Sequence, residues 1–498
     1  MNVNPITRLD YPDPDVIRVE DTYYMASTTM HFMPGCEILQ SFDLVHWEHV
    51  TYVYETLDHT DAQQLKSGQN IYGQGMWAAS LRYHEGRFCI CFVANDTRKT
   101  YLYTSEKIDG PWKKQLIEGF YHDGSLLFDE DGRNYIVYGN DEIWITELNE
   151  DLTAPKKDGL HRLLVSDHKN PELGYEGSHI QKINGYYYIF LVHSLRDRWM
   201  RTEACFYSDS LEGEFTGGDV LCDDRGYCGQ GVAQGGIVDT PDGKWYAMLF
   251  QDSGAVGRIP ILLPVTWKDH FPFFGQNGHV PEEIEVHSTR PGYIYQPLVG
   301  SDDFCNGLLP RWQFNHDPDP RYYHLDALQG TYTITTREVC TELTQAVNTL
   351  TQRMSYPSCA AEVTVDASAL KEGDVAGLCA LQSCYAAVGI TKHHGKYEVL
   401  MLDKKEDGIL DMTEGTVVES HQMDFRLEAD FCNMKDEARC YYRVNKGDWL
   451  PIGTVHKLYF KLDHFTGCRF GLFCYAAEET GGSACFRDFK YYDVDEIS

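Results

Sequence analysis

Residues 123–138 read DGSLLFDEDGRNYIVY: a carboxylate, a short apolar run, the turn Asp131-Gly132, then an aromatic run. Asp-Gly between two such runs is a strong short-range hairpin signal, because both turn residues adopt positive φ cheaply. The unit occurs four more times. Turns at Glu20-Asp21, Glu85-Gly86, Asn184-Gly185 and Asp242-Gly243 lead into TYYM, RFCICF, YYYIF and KWYAMLF. Nine residues ahead of the second turn residue stand Trp77, Asp123, Glu176 and Gln234, and eight ahead of Asp21 stands Asp13. A repeated unit places equivalent positions on equivalent parts of a fold, so these five side chains are expected around one axis. Three of the five are carboxylates.

The hairpins start 46 to 65 residues apart, the spacing of propeller blades with insertions. Short runs of Val, Ile, Tyr and Phe dominate from Asp15 to about Val265, and helical periodicity is hardly sustained anywhere. The hairpin register stops near Arg290-Pro291-Gly292. Beyond it, runs such as YTITT, CAAEVTVDA, AAVGITK, YEVLMLD, HKLYFKL and RFGLFCYA follow the rhythm of a β-sandwich. The expectation is an all-β chain: a five-bladed β-propeller over residues 1–295, then a jelly-roll-like β-sandwich over residues 296–498. The closing ACFRDFKYYD is expected to dock as a strand.

With 75 acidic against 43 basic residues the formal charge is -32, which repels nucleic acid and anionic membranes and keeps the chain dispersed. No apolar stretch approaches the roughly 20 residues of a spanning helix, and MNVNPITRLDYPDPD lacks the basic start and apolar core of a signal peptide. The sixteen cysteines form no CxxC pair. They are expected as reduced, mostly buried thiols of a cytoplasmic protein.

Two carboxyls facing each other across a sugar-sized gap are the minimum equipment of a glycoside hydrolase, one acting as base or nucleophile and one as acid. A third nearby raises the acid's pKa and orients it. Asp13 (in YPDPD), Asp123 (in YHDG) and Glu176 (in GYEGSH) fit that set; singly, each reads first as a loop cap, and the shared register reverses that. Trp77 and Phe32 offer aromatic faces for a sugar ring, with a buried core ring as the alternative for Trp77. Arg258, following the last hairpin, either bonds sugar hydroxyls or holds a carboxylate. GxSxG, HExxH and GxxxxGK[ST] are all absent, and His393-His394 reads as a solvated turn.

The chain resembles glycoside hydrolase family 43, specifically its β-xylosidase branch with a C-terminal sandwich. The likeness spans almost the whole length. It rests on NPITRLDYPDPDVIRVEDTYYM, MPGCEILQSFDLVHWEHV, MWAASLRYHEGRF, SLLFDEDGRNYIVYG and YEGSHIQKINGYYYI, with LTQR, DHFTGCRFGLF and FRDFKYYD in the second half. The resemblance implies Asp13 as general base, Glu176 as general acid and Asp123 as pKa modulator and orienter, in an inverting displacement. It implies a sugar pocket with Phe32, Trp77 and Arg258, and a sandwich residue, Phe465, that shortens the pocket and makes the enzyme exo-acting. The implied substrates are short β-1,4-xylo-oligosaccharides, with terminal α-L-arabinofuranosides as a second or main activity. No cofactor is implied for the chemistry. Many family members organise a channel calcium through a fifth-blade histidine; here Gln234 stands there, and its carbonyl serves either a cation, directly or through water, or water alone. Invertase-like fructosidases share the architecture but open on Asn-Asp-Pro-Asn, which YPDPD lacks. The rival of another class is a non-catalytic carbohydrate-binding propeller, which has no need of three carboxylates. The expected partner is a small oligosaccharide, with no nucleic acid and no membrane; self-association into a homo-oligomer stays open.

Overall fold

The computed structural model describes residues 2–493. Five four-stranded antiparallel sheets form in chain order. Blade one is Asp15–Val19, Thr22–Ser27, Gly35–Ser41 and Glu48–Tyr54; blade two is Met76–His84, Arg87–Ala94, Lys99–Ser105 and Lys113–Ile117. Blade three is Ser125–Phe128, Asn134–Asn140, Glu142–Leu148 and His161–Ser166; blade four is Glu176–Ile183, Tyr186–Ser194, Arg201–Ser208 and Thr216–Leu221. Blade five is Val232–Asp239, Trp245–Asp252, Arg258–Lys268 and Phe271–Phe274. First strands of successive blades touch in an unbroken ring, including blade five against blade one, so they line the central channel. The expected hairpins join first and second strands. His84 pairs with Arg87 and Ile183 with Tyr186, leaving two-residue loops whose residues Glu85, Gly86, Asn184 and Gly185 all have positive φ, as type I′ turns require.

The ring is clasped where Asn2–Val3 pairs with Glu283–Ile284. The Asn4 amide reinforces the clasp, donating to Leu262 O at 2.8 Å and accepting from Leu262 N at 3.1 Å. Apolar clusters fill the spaces between blades, as Tyr135, Ile143, Ile180 and Ile189 do between blades three and four. All sixteen cysteines are free thiols and most are buried. Among the described residues no helix is long and apolar enough to cross a membrane.

The second unit stacks two antiparallel sheets. In one, Leu350–Arg353, Asp374–Leu381 and Arg469–Ala476 are buried along their whole length, because one face meets the other sheet and the opposite face meets the sandwich's own Cys340, Leu343 and Ala346 together with Phe32 and Glu37 of the propeller. In the other, Gln422–Asp430 and Glu437–Arg443 alternate buried with more exposed residues, as a sheet with one wet face should.

The two units are not separable at the sheet level. Phe32–Met33, within blade one's chain, pairs with Gln313–Asn315 and so becomes an edge of the sandwich sheet. Around that seam lies a buried ion pair, Arg353 Nη1 to Glu37 Oε2 at 2.7 Å, with Arg353 Nε donating to Asp10 O at 2.8 Å. Burial alone would raise the Glu37 carboxyl, but Arg353 and His49 outweigh it and hold it at about 2. Removing one partner leaves an uncompensated buried charge, so Glu37→Gln or Arg353→Met should each cost about 3–5 kcal/mol in urea denaturation. The double variant Glu37→Gln/Arg353→Met should cost clearly less than the sum; strict additivity would show that the pair is uncoupled.

Candidate active site

Each blade breaks its first strand near the same level. Asp13, Asp123 and Gln234 have φ of 52°, 48° and 65°, and Gly75 and Gly177, beside Trp77 and Glu176, have 82° and 64°. Blades two, four and five add a bulge there, with register shifts between Met76 and Ala79, Glu176 and His179, and Ala233 and Gly236. A bulge or a left-handed residue takes a side chain out of the in–out alternation of a strand and re-aims it. This is how a nine-residue count from a turn becomes a ring of side chains at the channel mouth. Asp suits such positions because its short carboxylate bonds locally.

Asp13 and Asp123 are each 5% exposed. Thr28 Oγ1 donates to Asp13 Oδ2 at 2.6 Å and Arg258 Nη1 to its Oδ1 at 3.2 Å. The Gly177 amide donates to Asp123 Oδ2 at 3.1 Å, tying this carboxylate directly to the peptide after Glu176. Glu176 Oε2 accepts from Asn140 Nδ2 at 2.6 Å and lies 3.4 Å from His122 Nε2, which is also 3.6 Å from Asp123 Oδ2. Burial pushes Asp123 up to about 6; the His122 charge works against that, and Glu176 and Asp13 add to it. His122 is raised to about 9, chiefly by Asp123 and, against burial, by Glu176. Near neutral pH a cation therefore stands between the two carboxyls. Sequence reasoning missed His122 and Asn140. The first was within reach, since it adjoins a register position; the second ends the hairpin's other strand and carried no signal.

A cavity of about 1170 Å³ opens over this group, lined by Trp77, His122, Asn140, Glu176, Arg201 and Phe465 among others. Phe465 roofs its floor: its ring centroid is 5.7 Å from that of Trp77, and the Arg258 guanidinium lies 4.3 Å from it. The Asp10 carboxylate fixes this roof to the propeller, accepting from the Arg258 amide at 2.7 Å and the Gly467 amide at 2.8 Å. Arg258 holds the Asp13 carboxylate, yet its Nε and the Trp77 Nε1 are buried with no hydrogen-bond partner among the described residues. Buried donors are seldom left unpaired; Trp77 lines the cavity, whereas Arg258, Asp13 and Asp123 lie behind its lining.

Phe32 is not part of this wall. It is fully buried, paired into the sandwich sheet, and the Arg469 guanidinium lies 3.6 Å from its ring centroid. The strand that removes it from the pocket joins residues far apart in sequence, which no local pattern reveals. Gln234 sits at the mouth's fifth position but does not line the cavity. Its backbone N–H donates to the buried Glu203 Oε2 at 2.7 Å, and its side chain packs on Gly177, where a Cβ would lie 2.7 Å from Gln234 Cγ. The channel donors beneath it do not form a calcium cage: the Asp15 carboxylate is already bonded to Arg82, the Leu81 amide and His179.

Residues 3–272 match the model for glycosyl hydrolases family 43, and residues 301–492 match that for the beta xylosidase C-terminal concanavalin A-like domain. A beta-xylosidase of Formosa agariphila is 26% identical over 99% of this chain and 89% of its own length. A non-reducing end alpha-L-arabinofuranosidase of Bacteroides ovatus is 23% identical over 82% of this chain and 79% of its own. The solved structure of a bifunctional GH43-CE protein of Bacteroides eggerthii is 42% identical, with a TM-score of 0.93 over 100% of this chain, which spans 64% of that protein's length. Together with the propeller, the sandwich and the converging carboxylates, these matches show that the chain belongs to glycosyl hydrolases family 43 and is a glycoside hydrolase.

Proposed function

We propose that this hydrolase is an inverting, exo-acting β-xylosidase that releases xylose from the non-reducing end of short β-1,4-xylo-oligosaccharides. One observation carries the reading: three carboxylates converge beneath the Phe465 roof, beside two buried N–H donors that lack partners. Asp13, held by Thr28 and Arg258, takes a proton from the attacking water. Glu176, gripped by Asn140 and Gly177's tie to Asp123, gives its proton to the leaving oxygen. The water's hydroxyl ends on the anomeric carbon with inverted configuration, which calls for a carboxyl separation of roughly 6.5–9.5 Å. Trp77 and Arg258 hold the terminal sugar, and Phe465 closes the far side of its subsite, which favours cleavage from a chain end. The second reading, an α-L-arabinofuranosidase, is favoured by the arabinofuranosidase relative and by a pocket whose donors suit either pentose. The chemistry runs on side chains without a cofactor, on a soluble oligosaccharide in the cytoplasm.

Purified protein assayed on 4-nitrophenyl β-D-xyloside and 4-nitrophenyl α-L-arabinofuranoside should hydrolyse the first faster. Activity on neither removes the pentosidase assignment, and a faster second reverses the order of the two readings. Proton NMR of the first-formed sugar should show the α-anomer of xylose. A β-anomer would rule out single displacement.

A further inference from the structure

Below the catalytic mouth one side chain bonds to the first strands of three other blades. Arg82 lies on the first strand of blade two, five residues beyond Trp77. Its Nη1 donates to Asp15 Oδ2 at 2.8 Å, its Nη2 to Ser125 Oγ at 2.7 Å and Ile180 O at 3.3 Å, and its Nε to Leu126 O at 2.8 Å. Those partners belong to, or directly precede, the first strands of blades one, three and four. They stand two residues after Asp13, two and three after Asp123, and four after Glu176. The network reaches the fifth blade through His179, whose Nδ1 is 3.2 Å from Asp15 Oδ1 and whose ring packs on Gly236, two residues after Gln234. Ser125 Oγ also accepts the Ile180 amide at 3.0 Å, stitching blade three to blade four at the same level.

We infer that Arg82 is the positioning residue that sets the spacing of the three carboxylates, and that its guanidinium occupies the axial place a divalent cation would otherwise take in this channel. A guanidinium is permanently charged and presents five donors in a rigid plane, so it can hold several strands in fixed register. Lysine offers a single mobile charge centre and cannot. The donor set argues the same way. Calcium takes about six to eight oxygen ligands, whereas here the Asp15 oxygens are engaged, the Ser125 hydroxyl is engaged, and a fixed positive charge repels a second one. Arg82 touches no sugar subsite; it acts only through the strands that carry Asp13, Asp123 and Glu176. This inference rests on the pentosidase reading for its kinetic arm alone.

The test uses Arg82→Lys, Arg82→Ala and Ser125→Ala with the wild type. Arg82→Lys should keep KM within about twofold, because Trp77, Arg258 and Phe465 are undisturbed, and lose about 10- to 100-fold in kcat. Its pH–rate profile should shift as the carboxyl spacing changes. Ser125→Ala, which removes one of Arg82's bonds and the bond from the Ile180 amide, should show a smaller loss of the same kind and stands in if the Arg82 variants do not fold. A second cavity, of about 490 Å³ and lined in part by Arg82, opens beneath the channel, so millimolar guanidinium chloride should partly restore Arg82→Ala where calcium chloride does not. In the wild type, calcium titration should give no binding heat, and EDTA should leave the melting temperature unchanged. An unshifted kcat and pH profile in both Arg82→Lys and Ser125→Ala overturns the positioning role; calcium binding by the wild type, or rescue by calcium, overturns the claim on the channel. If the wild type hydrolyses neither aryl pentoside, the substrate reading has failed, and the calcium and EDTA measurements still decide the channel claim.

Discussion

Glu176→Ala should fold normally and lose about 10²- to 10⁴-fold in kcat on xylobiose, whose leaving alkoxide must be protonated. On 2,4-dinitrophenyl xyloside, whose phenolate leaves without a proton, the same variant should lose little. That range corresponds to about 3–5 kcal/mol of transition-state stabilisation, the order expected for one proton placed at the right atom. Asp13→Ala should behave differently: the attacking water needs its base whatever leaves, so both substrates suffer alike. The contrast follows from placement. Glu176 shares Asn140 and His122 at the open mouth, whereas Asp13 is held at the floor by Thr28 and Arg258. An equal loss on both substrates in Glu176→Ala would remove it as the acid, and a leaving-group-dependent loss in Asp13→Ala would exchange the two roles.

Much of this arrangement was legible before any coordinates, for a definite reason. A blade repeats not only its strands but its irregularities, so the left-handed residue or bulge at the channel mouth recurs at a fixed distance from the hairpin, carrying Asp13, Trp77, Asp123 and Glu176 with it. Gln234 obeys the same register, yet its surroundings, Gly177 and the buried Glu203, come from other strands, and counting cannot supply them. Phe32 was misplaced because its neighbours are set by a strand exchanged between the two units. Arg82 carried no signal in the sequence, since its bonding partners lie in three blades it does not belong to. Phe465 had no local signal at all; only the family resemblance pointed to it. Local pattern reveals where a side chain leaves the sheet, and tertiary contact decides what it then meets.

Lowering the pH from 8 to 5 should progressively favour the double variant His31→Phe/His464→Phe over the wild type. His31, His316 and His464 are fully or almost fully buried at the seam between propeller and sandwich, where their ring centroids and that of Tyr72 lie 4.6–5.2 Å apart. His316 is satisfied: the Ile71 amide donates to its Nε2 at 3.0 Å, which leaves the proton on Nδ1 to donate to Asn315 Oδ1 at 3.2 Å. His31 and His464 have no hydrogen-bond partner on either nitrogen among the described residues. No carboxylate pairs with any of the three among the described residues, and burial holds all three below their ordinary value, His464 at about 3; the Arg469 guanidinium adds to this for His31 and His464, and His464 adds to it for His31 and His316. A group that stays neutral when folded but protonates when unfolded contributes its stability fully above the unfolded pKa, about 6.5, and loses it as pH falls. Each such histidine approaches about 1.4 kcal/mol per pH unit, so removing two should open a gap of several kcal/mol by pH 5. The melting curve of the wild type alone hides this, because Asp123, Asp317, Asp374 and Asp436, each raised by burial to about 6, gain stability over much of the same range. The difference between variant and wild type cancels those acids. At pH 8 the variant should be at least as stable, since phenylalanine keeps the ring and removes unpaired buried nitrogens. Because Phe465 follows His464, reversible acid loss of activity should also move to lower pH in the variant. Parallel stability curves from pH 8 to 5, measured by urea denaturation, would show that these histidines do not carry the acid sensitivity of the seam.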